Sequence, residues 1–160
     1  FLLAITYILA LDLLAAAGIW TGTALLGDLG GVRYGGELLY TDREMATAFV
    51  FATALTIAPQ CASAAYGMLF STFTKSSGAA AASAIGFWRV IETVKYPLQI
   101  EPYVFFSYLE WPWQVFADRC DAIATAWTPT ATQMLAVSGL SAIVFVFAAS
   151  FSLARWDMSG

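Results

Sequence analysis

The chain has 160 residues, 60% of them hydrophobic and 11% charged, with a formal net charge of −4 and a mean hydropathy of +0.73. That balance leaves too little polar surface to cover a soluble globule, and it points to the bilayer as solvent. No basic run is present to neutralise phosphates, which excludes a nucleic-acid partner, and the absence of histidine excludes His-based triads, His-ligated haem and the usual zinc sites within this sequence.

The expected fold is all-α: a polytopic transmembrane bundle of about four spanning helices plus a re-entrant or interfacial aromatic segment, forming a single domain over residues 1–160. The chain opens in apolar sequence without an initiator Met, and the expectation is a fragment of a longer protein. Residues 1–26 are apolar except for Asp12 and scattered Thr. They lack the basic leader and small-residue cleavage site of a secretory signal and read as a first span. Residues 27–44 carry two glycine pairs, four acids and two arginines, which predicts a flexible, solvated loop of net charge −2.

Residues 45–73 form a second span, interrupted by Pro59, which predicts a kink because proline removes a helical hydrogen bond and frees a carbonyl. A short polar turn with Lys75 follows. The third span, 78–97, begins as an alanine-rich helix able to pack closely on a neighbour. It ends with Arg89, Glu92 and Lys95 at a spacing of three, on one inclined stripe. Residues 101–116 are aromatic and apolar, bracketed by Pro102 and Pro112, and too short for a full crossing. Tyr103, Tyr108, Trp111 and Trp113 are its expected headgroup anchors. A mixed loop, 117–133, leads to the last span, 134–154, and a short polar tail. Cys61 and Cys120 belong to regions of different membrane depth, which argues against a disulfide between them.

Charge at membrane depth is costly unless it meets a partner, a cavity or water. Arg89 lies about 18 Å along its helix from Ser77 at 1.5 Å per residue. Three readings of the stripe compete there: a structural ion pair of Arg89 with Glu92, the lining of a substrate path, or a misplaced helix end. Asp12 is a candidate partner for Arg89 across helices, with snorkelling at a helix end as the alternative. The weak positive excess at Lys75 and Arg155 places that turn and the C-terminus on the cytoplasmic side, with the aromatic segment on the outer side. No GxxxxGK[ST], HExxH or GxSxG motif and no Cys/His cluster is present, so ATP hydrolysis is not expected on this chain.

Residues 64–87, AYGMLFSTFTKSSGAAAASAIGF, resemble the stretch of type-2 ABC transporter permeases in which a helix reaches the cytoplasm in a small-residue turn and an alanine-rich helix leaves it. The turn here is Gly67, Leu69, Ser71, Lys75 and Ser76. The closing ASFSLARWDMSG, with Arg155, Trp156 and Asp157, is similar to that family's cytoplasmic end, and an outer re-entrant region between the last two spans is also a family feature. The resemblance covers residues 45–160, with 1–26 as the preceding helix, and it departs from the family in the charged stripe of the third span.

It implies the C-terminal portion of a six-helix exporter subunit in the plasma membrane. Its expected partners are an ATP-binding cassette ATPase subunit, a second permease copy and membrane lipid. ATP and Mg would bind the ATPase, and no cofactor would bind this chain. The resemblance carries no motif that names the cargo. The rival readings are a secondary transporter or channel fragment using Asp12, Arg89 and Glu92, an intramembrane enzyme using Glu92, Glu101 or Glu110, and an assembly subunit.

Overall fold

The computed structural model describes residues 2–26, 31–123 and 125–157. Parts of the expected first loop and of the polar tail, and the side chains of Trp156 and Asp157, lie outside what is described. The described chain is mostly helical. Helices α1 (Leu2–Leu26), α2 (Asp42–Thr72) and α5 (Thr130–Asp157) each contain a stretch long and apolar enough to cross a membrane. The expected fourth span is the 18-residue helix α3 (Ser77–Val94), which does not reach that standard among the described residues. Arg89 and Glu92 lower its hydropathy, and its end is set by local chemistry. Pro97 has no N–H to donate, and Gln99 takes a left-handed φ of +54°. The bonds Gln99 N–H to Tyr96 O and Ile100 N–H to Lys95 O then close a Schellman turn.

Between α1 and α2 the structure corrects the expectation of a featureless loop. Strands β1 (Val32–Tyr34) and β2 (Glu37–Tyr40) pair antiparallel in a hairpin, so the all-α class holds with this one small exception. Gly35 and Gly36, at φ +62° and +92°, form its two-residue turn. Positive φ at both central residues gives the twist that matches paired strands, and glycine takes it without steric cost. Gly31 serves differently: a Cβ there would strike the Tyr40 carbonyl oxygen and the Leu38 side chain. Thr41 then opens α2 with a capping box, its hydroxyl accepting from Glu44 N–H while Glu44 Oε2 accepts from Thr41 N–H at 2.8 Å.

Along α2 the buried residues Met45, Ala48, Phe49, Ala52, Leu55, Thr56, Pro59, Ala62, Ala65 and Tyr66 recur every three or four positions, one stripe of the helix. That stripe meets α5, the helix α2 contacts most extensively. Leu55 packs with Ala131 and Met134, and further on Ala62 and Tyr66 pack with Ala142 and Phe145, so α2 and α5 run parallel. Parallel neighbours need a return path, and α3 with the segment after it provides one. Two 3-10 turns, Glu101–Tyr103 and Phe105–Tyr108, precede α4 (Trp111–Cys120). α1 packs on α2 and turns Leu13, Leu14 and Trp20 outward.

Candidate functional site

Two features concentrate polar or aromatic chemistry along α2: an aromatic seam shared with α3 and α5, and a set of charges on α1 and at the end of α3. In the seam, Phe105 and Phe106 stack against Tyr66 at centroid distances of 6.1 and 5.1 Å. Tyr108 joins Leu55 and Met134, and Trp113 and Phe116 meet Phe49 edge-on at 5.7 Å. The chain from 105 to 116 therefore runs back along α2 from Tyr66 to Phe49, about 26 Å at 1.5 Å per residue. That is most of a hydrocarbon core of about 30 Å. The aromatic segment, expected to be re-entrant or interfacial, thus packs into the seam. Of the four anchor candidates, Tyr108 is buried, Trp111 and Trp113 are half-buried, and Tyr103 is exposed.

Irregular backbone at such a depth must satisfy its own polar groups. Bonds from Tyr103 N–H to Ile100 O, Ser107 N–H to Val104 O and Leu109 N–H to Phe106 O do this locally. The Pro102 carbonyl accepts from the Tyr108 hydroxyl at 2.6 Å and from Gln133 Nε2 at 3.2 Å, tying the turns to α5. Tyr66 closes the junction on the other side by donating to the Ala84 carbonyl of α3 at 2.7 Å.

The charged stripe divides. Glu92 Oε1 pairs with Lys95 Nζ at 2.7 Å, and that ammonium also reaches Ser107 Oγ at 3.4 Å and lies 4.8 Å from the Tyr96 ring centroid. Lys95 is only 4% exposed. The expected Arg89–Glu92 pair is not the one formed: Arg89 is exposed, with its guanidinium 5.4 Å from the Trp88 ring. Glu92 is three residues from both cations. It takes the buried Lys95, because an unpaired ammonium inside the fold costs more than an exposed guanidinium beside a ring.

Asp12 likewise does not meet Arg89. Its Oδ1 accepts from Gln60 Nε2 at 3.1 Å, and its Oδ2 is buried without a hydrogen-bond partner. Ile8, Leu11, Ser63, Ala64 and Leu109 surround this pair in a groove of about 450 Å³. Pro59, just before Gln60, is fully buried on the α2–α5 face, and α2 continues as helix through it. Ser63 Oγ donates to the Pro59 carbonyl at 3.0 Å. Lys75 is exposed in the α2–α3 turn. Of the alanine run 79–82, only Ala80 is buried.

Sequence reading passed over Ser107, Gln133, Arg119 and Trp127. They fall in stretches that read from sequence as a mixed loop or a short aromatic segment, and their polar groups carry no signal until those stretches fold against the helices. Cys61 and Cys120 are both unpaired. Partial burial pushes the Cys120 thiol above its usual range, with Asp121 beside it adding to the effect. Comparison with protein-family models, with curated proteins and with solved structures finds no match to this chain.

Proposed function

We propose that this chain is the membrane-embedded permease portion of an ATP-driven exporter similar to type-2 ABC permeases, giving a path to substrate while a partner ATPase subunit binds ATP and Mg. The observation that supports it most is the order of parts: a long α2, a tight turn with Lys75, a helix folding back, an aromatic segment seated in the helix seam, and a parallel α5. In this reading α3 and the aromatic segment together supply the fourth crossing, and Lys75 and the C-terminus face the cytoplasm at the plasma membrane. The outward apolar surfaces of α1 and α5 meet lipid, further helices or a second permease copy. The path runs past the Asp12–Gln60 groove, with the Glu92–Lys95 pair holding the end of α3 beside it.

The test is purification from native membranes in mild detergent followed by reconstitution. An ATPase bearing a phosphate-binding loop should co-elute, and flux should require ATP and fall in Asp12→Asn and Gln60→Ala variants. Flux driven by an ion gradient with no ATPase present would replace this reading with that of a secondary transporter. The buried, unpartnered Asp12 Oδ2 is the observation that favours that alternative.

A further inference from the structure

At the Asp42 end of α2, remote from the Asp12–Gln60 groove, lies a cavity of about 350 Å³ lined by Arg43, Glu44, Thr47, Phe51, Arg119 and Trp127. Arg119 comes from the last turn of α4 and enters between two rings, its guanidinium carbon 5.5 Å from the centroids of both Tyr40 and Trp127. The two ring contacts hold the guanidinium in place but satisfy none of its N–H donors. Nε is buried with no hydrogen-bond partner. Among the described residues the one ion pair is Glu92 with Lys95, so neither Arg119 nor Arg43 has a carboxylate in contact.

The nearby acids take their hydrogen bonds from other partners, although the Thr41 bonds, helped by the nearby Arg119 charge, hold the Glu44 carboxyl below its usual range. Glu44 Oε2 accepts from Thr41 N–H and Oγ1 at 2.8 and 2.9 Å, and Asp118 Oδ2 accepts from Thr125 Oγ1 at 2.9 Å. Two guanidiniums therefore border a cavity that they share with one carboxylate, Glu44, and the Thr47 hydroxyl, and one side of it is an apolar wall in which Phe51 and Trp127 meet edge-to-face at 5.0 Å. Two turns into α2 from Arg43 the exposed residues become apolar, Val50 and Phe51 among them. The cavity thus sits at the boundary between the charged end of α2 and its lipid-compatible surface.

We infer that this cavity binds a phosphate group carried on an anionic membrane lipid. Arg119 presents its planar fork to the phosphate oxygens, Arg43 adds a second charge, and the Phe51–Trp127 wall meets the glycerol and upper acyl chain. An unpaired, pre-oriented guanidinium beside an apolar wall suits an amphiphile better than a fully hydrated free anion. The inference needs the bilayer but not an ATPase partner, so it stands or falls separately from the exporter reading.

Native mass spectrometry of the purified chain in detergent micelles, titrated with phosphatidylglycerol or phosphatidylcholine, tests it. Phosphatidylglycerol should be retained about tenfold better, because the same phosphate in phosphatidylcholine carries a tethered quaternary ammonium that the two guanidiniums repel. Arg119→Gln should abolish that preference. Arg43→Gln, at an exposed position where folding is not at stake, should cut it several-fold. Equal retention of the two lipids, or a preference unchanged in Arg43→Gln, overturns the site. Displacement of the lipid by inorganic phosphate at equal concentration overturns the lipid assignment in favour of a free phosphate.

Discussion

Tyr66 is where α2, α3, the 3-10 turns and α5 converge, and replacing it separates hydrogen bonding from packing. Tyr66→Phe removes the hydroxyl bond to the Ala84 carbonyl, but that carbonyl lies inside α3 and belongs to the helical ladder, so no acceptor is orphaned. The expected cost is about 0.5–1 kcal/mol, the range of single hydrogen bonds in water and within membranes. Tyr66→Ala also removes ring contacts to Phe70, Phe105, Phe106 and Phe145, with centroids 4.8–6.1 Å away. Loss of a buried aromatic costs about 3–5 kcal/mol in a soluble core. In lipid the hydrophobic transfer term drops out and packing remains, which lowers the expectation to about 2–3 kcal/mol. Titration from mild detergent into sodium dodecyl sulfate, followed by circular dichroism, measures both, and hydrogen exchange over 101–109 reports whether the aromatic segment loosens. Equal losses for the two variants, or a loss below about 1 kcal/mol for Tyr66→Ala, would refute the idea that ring packing holds the segment in the seam.

The same titration should rank Glu92→Gln as more harmful than Lys95→Met. The first leaves a buried ammonium with no countercharge, only Ser107 at 3.4 Å and the Tyr96 ring, at a cost of about 1–3 kcal/mol because Glu92 is itself partly solvated. The second removes the charge and its need for a partner, and the reverse ranking would contradict the buried-pair account. Gly31→Ala should destabilise the hairpin, since a Cβ meets backbone there, whereas Gly18→Ala, with open space around it, should be neutral or slightly stabilising; equal effects in a thermal melt would count against the close approach. Cys120 is exposed, and in the proposed orientation it should react with a membrane-impermeant maleimide from the outer side. Its raised pKa means little thiolate at pH 7, so the rate should climb about tenfold per pH unit below that pKa. A rate flat between pH 7 and 9 would oppose the partly buried environment, and labelling only from the cytoplasmic side would oppose the proposed orientation.

The arrangement also shows how a bundle accommodates a short, charged helix. α3 ends partway along α2, and its last residues carry a charge pair that bare lipid would penalise. The aromatic segment covers that end: Ser107 faces Lys95, and Phe106 lies 5.7 Å from Trp88. Because the turns satisfy their own N–H groups, the irregular chain can run along the seam without exposing unpaired backbone to hydrocarbon.

Much of this protein was determined by local sequence. The apolar lengths of α1, α2 and α5, the proline and the polar turn that bound α3, and the short aromatic stretch follow from residue type alone, because span length and helix termination are local properties. The hairpin was also written locally, in Gly35–Gly36 between residues able to pair, although the charged flanks read as solvated loop. Tertiary structure decided which partners meet. Equal spacing left Glu92 between Arg89 and Lys95, and only burial of Lys95 under the aromatic segment broke the tie. Asp12 found Gln60, a neutral residue that a search for opposite charge passes over. Tyr108 became core because α2 and α5 run parallel and leave a seam to fill, and Arg119 gained its two rings only when the hairpin, α4 and the 125–129 chain came together at one end of α2. Such contacts join residues far apart in sequence, and no local periodicity encodes them.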